Sequence, residues 1–143
     1  MTHAEKIRQI IAREEPRLRG FSAAEAAAQR SPGKWSRKEV LGHTIDSAGN
    51  NLQRVVRAEQ VERLEWPGYA QTEWVRCQAY AAEEWGALID LWVALNHHFA
   101  HVVEHIPAEK KGTVVVIGGG APMTLEEMVA DYLRHLEHHL EQI

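Results

Sequence analysis

Two histidines four residues apart near the end of the chain, His135 and His139, carry the clearest chemical signal in the sequence. On a helix, residues i and i+4 stack on one face. Two imidazoles placed that way can hold one divalent ion once a third ligand arrives from elsewhere in the fold. His43 is the candidate for that ligand. Three histidine ligands leave a position open for water or substrate, which is the arrangement of a Lewis-acid centre. The same residues also have a plainer reading, as histidines hydrogen-bonded at the rim of a core, and the spacing does not choose between the two.

The elements that must position these residues read as helices. The first runs from about Ala4 to Arg19, with Ile7, Ile10, Ile11 and Leu18 on one stripe and Pro16 as a kink or break. A short piece starts at Ser22, which has capping-box spacing to Glu25. Ser36, Glu39 and the Trp35/Val40 staple write the start of a long helix expected to continue to about Arg63. A third helical region spans about Gln71 to Ile106, broken near Ala82. Thr124 and Glu127 open the last helix. Between the last two, Thr113 to Ile117 is β-branched, but with no convincing partner strand it reads as an extended crossover. The fold class is therefore all-α: an antiparallel four-helix bundle with a long crossover before the last helix, in a single domain of residues 1–143.

At about 100° per residue, Leu125, Met128, Val129, Tyr132, Leu136, Leu140 and Ile143 form the apolar stripe of the last helix. His139 falls inside its edge, His135 just beside it, and His138 on the polar face. His97, His101 and His105 also repeat every four residues, but opposite the apolar stripe of their helix, as a solvated face would. Adventitious metal binding there stays open. Asn96 lies within that apolar stripe, so its amide needs a partner or lines a pocket. His43, Ser47, Asn50, Asn51 and Arg54 form a polar strip beside an apolar one, as a pocket wall or a hydrated groove would. Ser47, Asn51 and Asn96 are the candidates for orienting a substrate.

Composition narrows the function classes. The chain has 143 residues, 45% hydrophobic and 25% charged, with a formal net charge of −4, the profile of an ordinary globular protein. No basic, aromatic-interleaved segment points to nucleic acid. No apolar run approaches the roughly 20 residues of a membrane span. The N-terminus lacks the pattern of a secretory signal, so a cytoplasmic location is expected. Cys77 is the only cysteine; no inward histidine lies near it in sequence, and the commoner role of such a thiol is a small buried hydrophobe.

Pro32-Gly33-Lys34-Trp35-Ser36 with Glu39-Val40-Leu41-Gly42-His43, and the closing His135 to Ile143 segment, resemble the DinB-like superfamily of bacterial four-helix-bundle proteins across nearly the whole chain. The resemblance implies a divalent metal, zinc or nickel, on His43, His135 and His139. It also implies a small-molecule substrate, since members include S-transferases that use low-molecular-weight thiols and a maleylpyruvate isomerase. The expected function is a metal-dependent thiol S-transferase or a hydrolase; the rival is a non-catalytic bundle in which the metal only pins helices together. A homodimer is expected from the family habit and from five tryptophans, more than one small core usually needs.

Overall fold

The computed structural model describes residues 1–143. Six helices, α1 (His3–Arg19), α2 (Ala23–Ala27), α3 (Arg37–Ala58), α4 (Gln71–Cys77), α5 (Trp85–Glu104) and α6 (Leu125–Leu140), are joined by three short strands, β1 (Arg63–Trp66), β2 (Val114–Ile117) and β3 (Met123–Thr124). No helix is long and apolar enough to cross a membrane. The helix starts follow local chemistry. Thr2, Ser22, Ser36 and Thr124 each accept from the backbone N–H three residues on, and a glutamate at that position reaches back to the cap. Such a cap is worth about 1 kcal/mol. Pro16 lies in the last turn of α1 without breaking it, and the helix closes at Gly20, whose N–H donates to Pro16 O.

The long helices α1, α3, α5 and α6 pack around Trp92, Phe99, Leu88 and Ile89 of α5, all fully buried with Ile7, Ile11, Leu41, Val55, Leu125 and Leu140. Trp85 ties the start of α5 to the end of α1 through Nε1–H to Leu18 O at 2.9 Å. At the other end Arg8 pairs with Glu104, so α1 and α5 run antiparallel. Arg17 donates to Leu140 O at 2.8 Å, end to end, so α1 and α6 run parallel. His43 near the start of α3 meets His139 near the end of α6, making that pair antiparallel. It follows that α3 and α5 run parallel.

This arrangement corrects the expected architecture in three ways. The bundle is mixed rather than antiparallel throughout. It is also not all-α: β1 pairs parallel with β2, Arg63 opposite Val114 to Trp66 opposite Ile117, and β2 pairs antiparallel with β3. Third, the segment before α6 begins and ends at the same end of the bundle. The connection that travels the bundle's length is residues 59–84, between α3 and α5. That path requires α3 to stop at Ala58, earlier than the expected Arg63, because Arg63–Trp66 belongs to the sheet.

Glu14, only 6% exposed, clamps α1 near the end of α6, accepting from Arg13 Nε at 2.8 Å and Arg17 Nε at 2.6 Å. Burial pushes its carboxyl up, but the two guanidinium hydrogen bonds and charges outweigh this and hold it below the usual value. A depressed folded pKa stabilises the fold above the unfolded pKa, and that stability is lost as pH falls through the folded value. Glu14→Gln should therefore cost about 1.5 kcal/mol near neutral pH, the low end for a charge-assisted pair whose arginines are half in solvent. The gap from the parent should narrow as pH falls well below the ordinary carboxylate range, where Glu14 is neutral in both states. Urea unfolding at neutral and at acid pH checks this; equal stability of the two proteins at neutral pH would contradict it.

Candidate metal centre

Because α3 and α6 run antiparallel, the second turn of α3 faces the last turns of α6. His43, 3% exposed, and half-buried His139 meet there with Nε2 atoms 3.1 Å apart and rings nearly perpendicular at 83°. Two nitrogens sharing a tetrahedral ion at ordinary zinc distances lie about 3.3 Å apart, so the pair is within a few tenths of an ångström of a bidentate grip. Trp35, 5.1 Å from the His43 ring between centroids, covers one side. Burial, followed by the nearby His139 and His135, pushes the His43 pKa down to about 4. Burial also lowers His139, against the opposing effect of its hydrogen bond to Gln142. Both imidazoles are therefore held neutral, the form that donates a lone pair.

Gln142 Oε1 lies 3.1 Å from His139 Nδ1. In the tautomer this contact selects, Nδ1–H donates to the amide oxygen and leaves the Nε2 lone pair facing His43, as a second-shell partner does at a metal site. His43 Nδ1 is buried with no hydrogen-bond partner. His135 lines the same cavity from an exposed position, and its ring nitrogens do not close to within 4.8 Å of both other histidines. The one triad meeting that distance is His101, Glu104 and His105, all exposed. There Glu104 is engaged by both Arg8 Nη atoms and His105 Nδ1–H donates to His101 O at 2.7 Å. His97 and His98 are exposed too, so this helix face is solvated.

The His43–His139 pair closes one end of a cavity of about 290 Å³ in the groove between α3 and α6. His43, Ser47, Asn51 and Arg54 form one wall at helical spacing; Met128, Asp131, Tyr132 and His135 form the other. Gly68, Tyr69 and Gln71 roof it, and Ile117 and Met123 from the small sheet bound it. Asn51 Nδ2 donates to Ser47 O at 2.8 Å, which leaves Asn51 Oδ1 for a ligand, while the Ser47 hydroxyl lies within hydrogen-bond reach of Tyr69. Asn96 is not among the lining residues. It is fully buried, donates to Trp92 O at 2.9 Å and accepts from the Tyr132 hydroxyl, so it reaches the cavity only through Tyr132. Cys77 is exposed on α4, away from the cavity, and not the buried thiol expected.

Arg54 was read only as part of a polar strip, and three other cavity or supporting residues, Tyr69, Asp131 and Gln142, were assigned no role by sequence reasoning. Arg54 was visible on the His43 face, eleven residues on, and Gln142 one turn beyond His139. Asp131 lines the cavity while ion-paired with Arg134. Tyr69 comes from the connection between β1 and α4 and had no local signal.

The fold is shared with solved structures at low identity. YfiT from Bacillus subtilis, described as a probable metal-dependent hydrolase with an unusual four-helix bundle topology, superposes with a TM-score of 0.84 at 15% identity, covering 96% of this chain and 79% of that one. The mycothiol-dependent maleylpyruvate isomerase matches with a TM-score of 0.79 at 14% identity over 96% of this chain, and a point variant of it matches equally at 15%. The chain spans 57% of the isomerase's length. No curated protein matches the sequence. The DinB superfamily model matches residues 7–143, and the chain is a member of that superfamily.

Proposed function

We propose that this protein is a metal-dependent enzyme acting on a small molecule, a thiol S-transferase or a hydrolase, with His43, His135 and His139 as ligands for zinc or nickel. The observation that carries the reading is the pair of neutral imidazoles with Nε2 atoms 3.1 Å apart at the end of a cavity. A divalent ion there supplies Lewis acidity, lowering the pKa of a thiol or water brought to it. The rest is the chain's own work. Trp35 shields His43 from solvent, Gln142 orients His139, and Ser47 and Asn51 orient the substrate from one wall, Asn51 through its free Oδ1. Asn96 acts as a positioning residue, holding the Tyr132 ring against the cavity wall.

The exposed position of His135 favours an open centre, since a side chain at the cavity mouth leaves room for a ligand beside it. The rival, a metal that only pins α3 to α6, draws on the lack of a free carboxylate lining the cavity to serve as base: Asp131 is engaged by Arg134, and Asp46, whose Oδ1 accepts from Tyr80 and Gln78 while its Oδ2 is buried without a partner, is not among the lining residues. A screen of small thiols with electrophiles, run on zinc- and nickel-loaded protein, decides between them. Turnover that disappears in His43→Ala and after chelation is the expected result. Turnover that survives both places the chemistry elsewhere, and a metal-loaded protein inert to every thiol and to hydrolysable esters favours the pinning role. A homodimer remains part of the proposal, to be read by light scattering. Of the tryptophans that suggested it, Trp85 and Trp92 are spent in the core and Trp35 and Trp66 are half-buried, which leaves Trp74 exposed.

A further inference from the structure

Arg54 is the one cation lining the cavity without a partner. Its Nε is buried and makes no hydrogen bond, and no carboxylate stands within ion-pair distance. Burial lowers its pKa, and the charged form gains only from Tyr69. Tyr69 is no counter-ion: burial, with Asp46 adding to it, pushes its phenol above the ordinary value, so it stays neutral and offers an O–H. Other arginines in the chain have obvious work. Arg8, Arg13, Arg17, Arg19, Arg63, Arg76 and Arg134 are ion-paired. Arg37 donates to backbone carbonyls and lies over Phe21, and Arg57 lies over Trp66. A guanidinium presents five N–H donors in a planar fork and cannot shed its charge, so a half-buried one whose Nε lacks an acceptor is costly unless a ligand supplies it.

We propose that Arg54 binds a carboxylate of the substrate, so that the cavity takes a small organic acid whose reactive end lies at His43 and His139 and whose carboxylate lies at Arg54. This rests on the reading of the cavity as a small-molecule metal site and names the class of molecule it takes. His43 and Arg54 are eleven residues apart on α3, about 16 Å along the axis. Both side chains lean toward the helix N-terminus, and the longer reach of arginine closes part of that gap, so the two groups suit opposite ends of a chain of several carbons. One cation, with Asp131 at the same cavity, matches a single negative charge. A phosphate monoester would bring nearly two, and no second cation lines the cavity to meet it. The planar fork fits the two oxygens of a carboxylate. Tyr69 O–H and the free Asn51 Oδ1 complete a polar end wall.

The test compares 6-mercaptohexanoate with 6-mercaptohexanamide by calorimetry on the zinc-loaded protein. The acid should bind about tenfold more tightly, the worth of one charge-assisted contact. Arg54→Gln should erase the preference while leaving amide affinity and zinc stoichiometry unchanged, and Arg54→Lys should keep part of it. Hexanoate against hexanamide on exhaustively chelated protein reads Arg54 without the metal. A preference there that Arg54→Gln erases sustains the inference even if zinc proves to bind elsewhere, and zinc held by His43 and His139 with no acid preference overturns the inference alone. A preference unchanged in Arg54→Gln also overturns it. Hexyl phosphate bound more tightly than hexanoate, with the same dependence on Arg54, overturns the carboxylate assignment.

Discussion

Gly42→Ala should unfold this protein more readily by about 2–3 kcal/mol, although glycine to alanine inside a helix ordinarily stabilises by about 1 kcal/mol. A Cβ at position 42 would lie 2.2 Å from Tyr80 Cδ2 and 2.4 Å from Cγ, well inside van der Waals contact. The Tyr80 ring cannot swing aside cheaply. It is 2% exposed, and its hydroxyl donates to Asp46 at 2.7 Å in a network with Gln78. Overpacking of this kind costs about 1–3 kcal/mol, and a displaced Tyr80 adds the loss of a hydrogen bond to a buried carboxylate, about 1.5–3 kcal/mol. For a chain of this size the melting temperature should drop by roughly 6–12 °C. The close approach also explains how residues 78–84 dock on the start of α3, one residue from His43. In a Tyr80→Ala background the clash is gone and the alanine should become stabilising; destabilisation of equal size in both backgrounds would show that the cause lies elsewhere.

The second large effect concerns the metal. His43→Ala and His139→Ala should each weaken zinc binding by more than about 100-fold, since removing a ligand exceeds the 10–100-fold cost of removing its second-shell partner. Gln142→Ala, which frees the His139 tautomer, should fall within that smaller range. His101→Ala should leave the tight site unchanged, because that histidine belongs to an exposed triad whose glutamate is engaged by Arg8. Folding should survive in His43→Ala, as the buried Nδ1 that it removes makes no hydrogen bond. Competition titration against a chromophoric chelator measures all four. The order would be refuted if His101→Ala lost zinc while His139→Ala kept it.

The parts of this molecule legible in sequence are those encoded locally. Capping boxes at Ser36 and Thr124 marked helix starts that the structure keeps, and the 3.6-residue period sorted His139 from the exposed His97, His98, His101 and His105. What escaped depends on contacts distant in sequence. Val114–Ile117 looked like a strand without a partner because the partner, Arg63–Trp66, is about fifty residues away, half charged, and continuous with a helical pattern. The mixed directions of the helices follow from residues 59–84 running the length of the bundle, which no local period records. Asn96 was recognised as buried and in need of a partner, but only the reach of Tyr132 from α6 across the core to α5 reveals that partner. Arg54 carried its helical angle in plain view, whereas its isolation from every carboxylate is a property of the assembled cavity.

The central claim is that α3 and α6 together hold one metal ion with a coordination position left open. A crystal structure of the zinc-loaded protein, with anomalous scattering recorded at the zinc edge, tests it most directly. The expected result is a single strong peak about 2.0–2.1 Å from Nε2 of His43 and His139, with His135 turned in as third ligand and a solvent or thiol atom as the fourth. A peak confined to His101, Glu104 and His105, or a fourth protein side chain closing the site at His43 and His139, would contradict it.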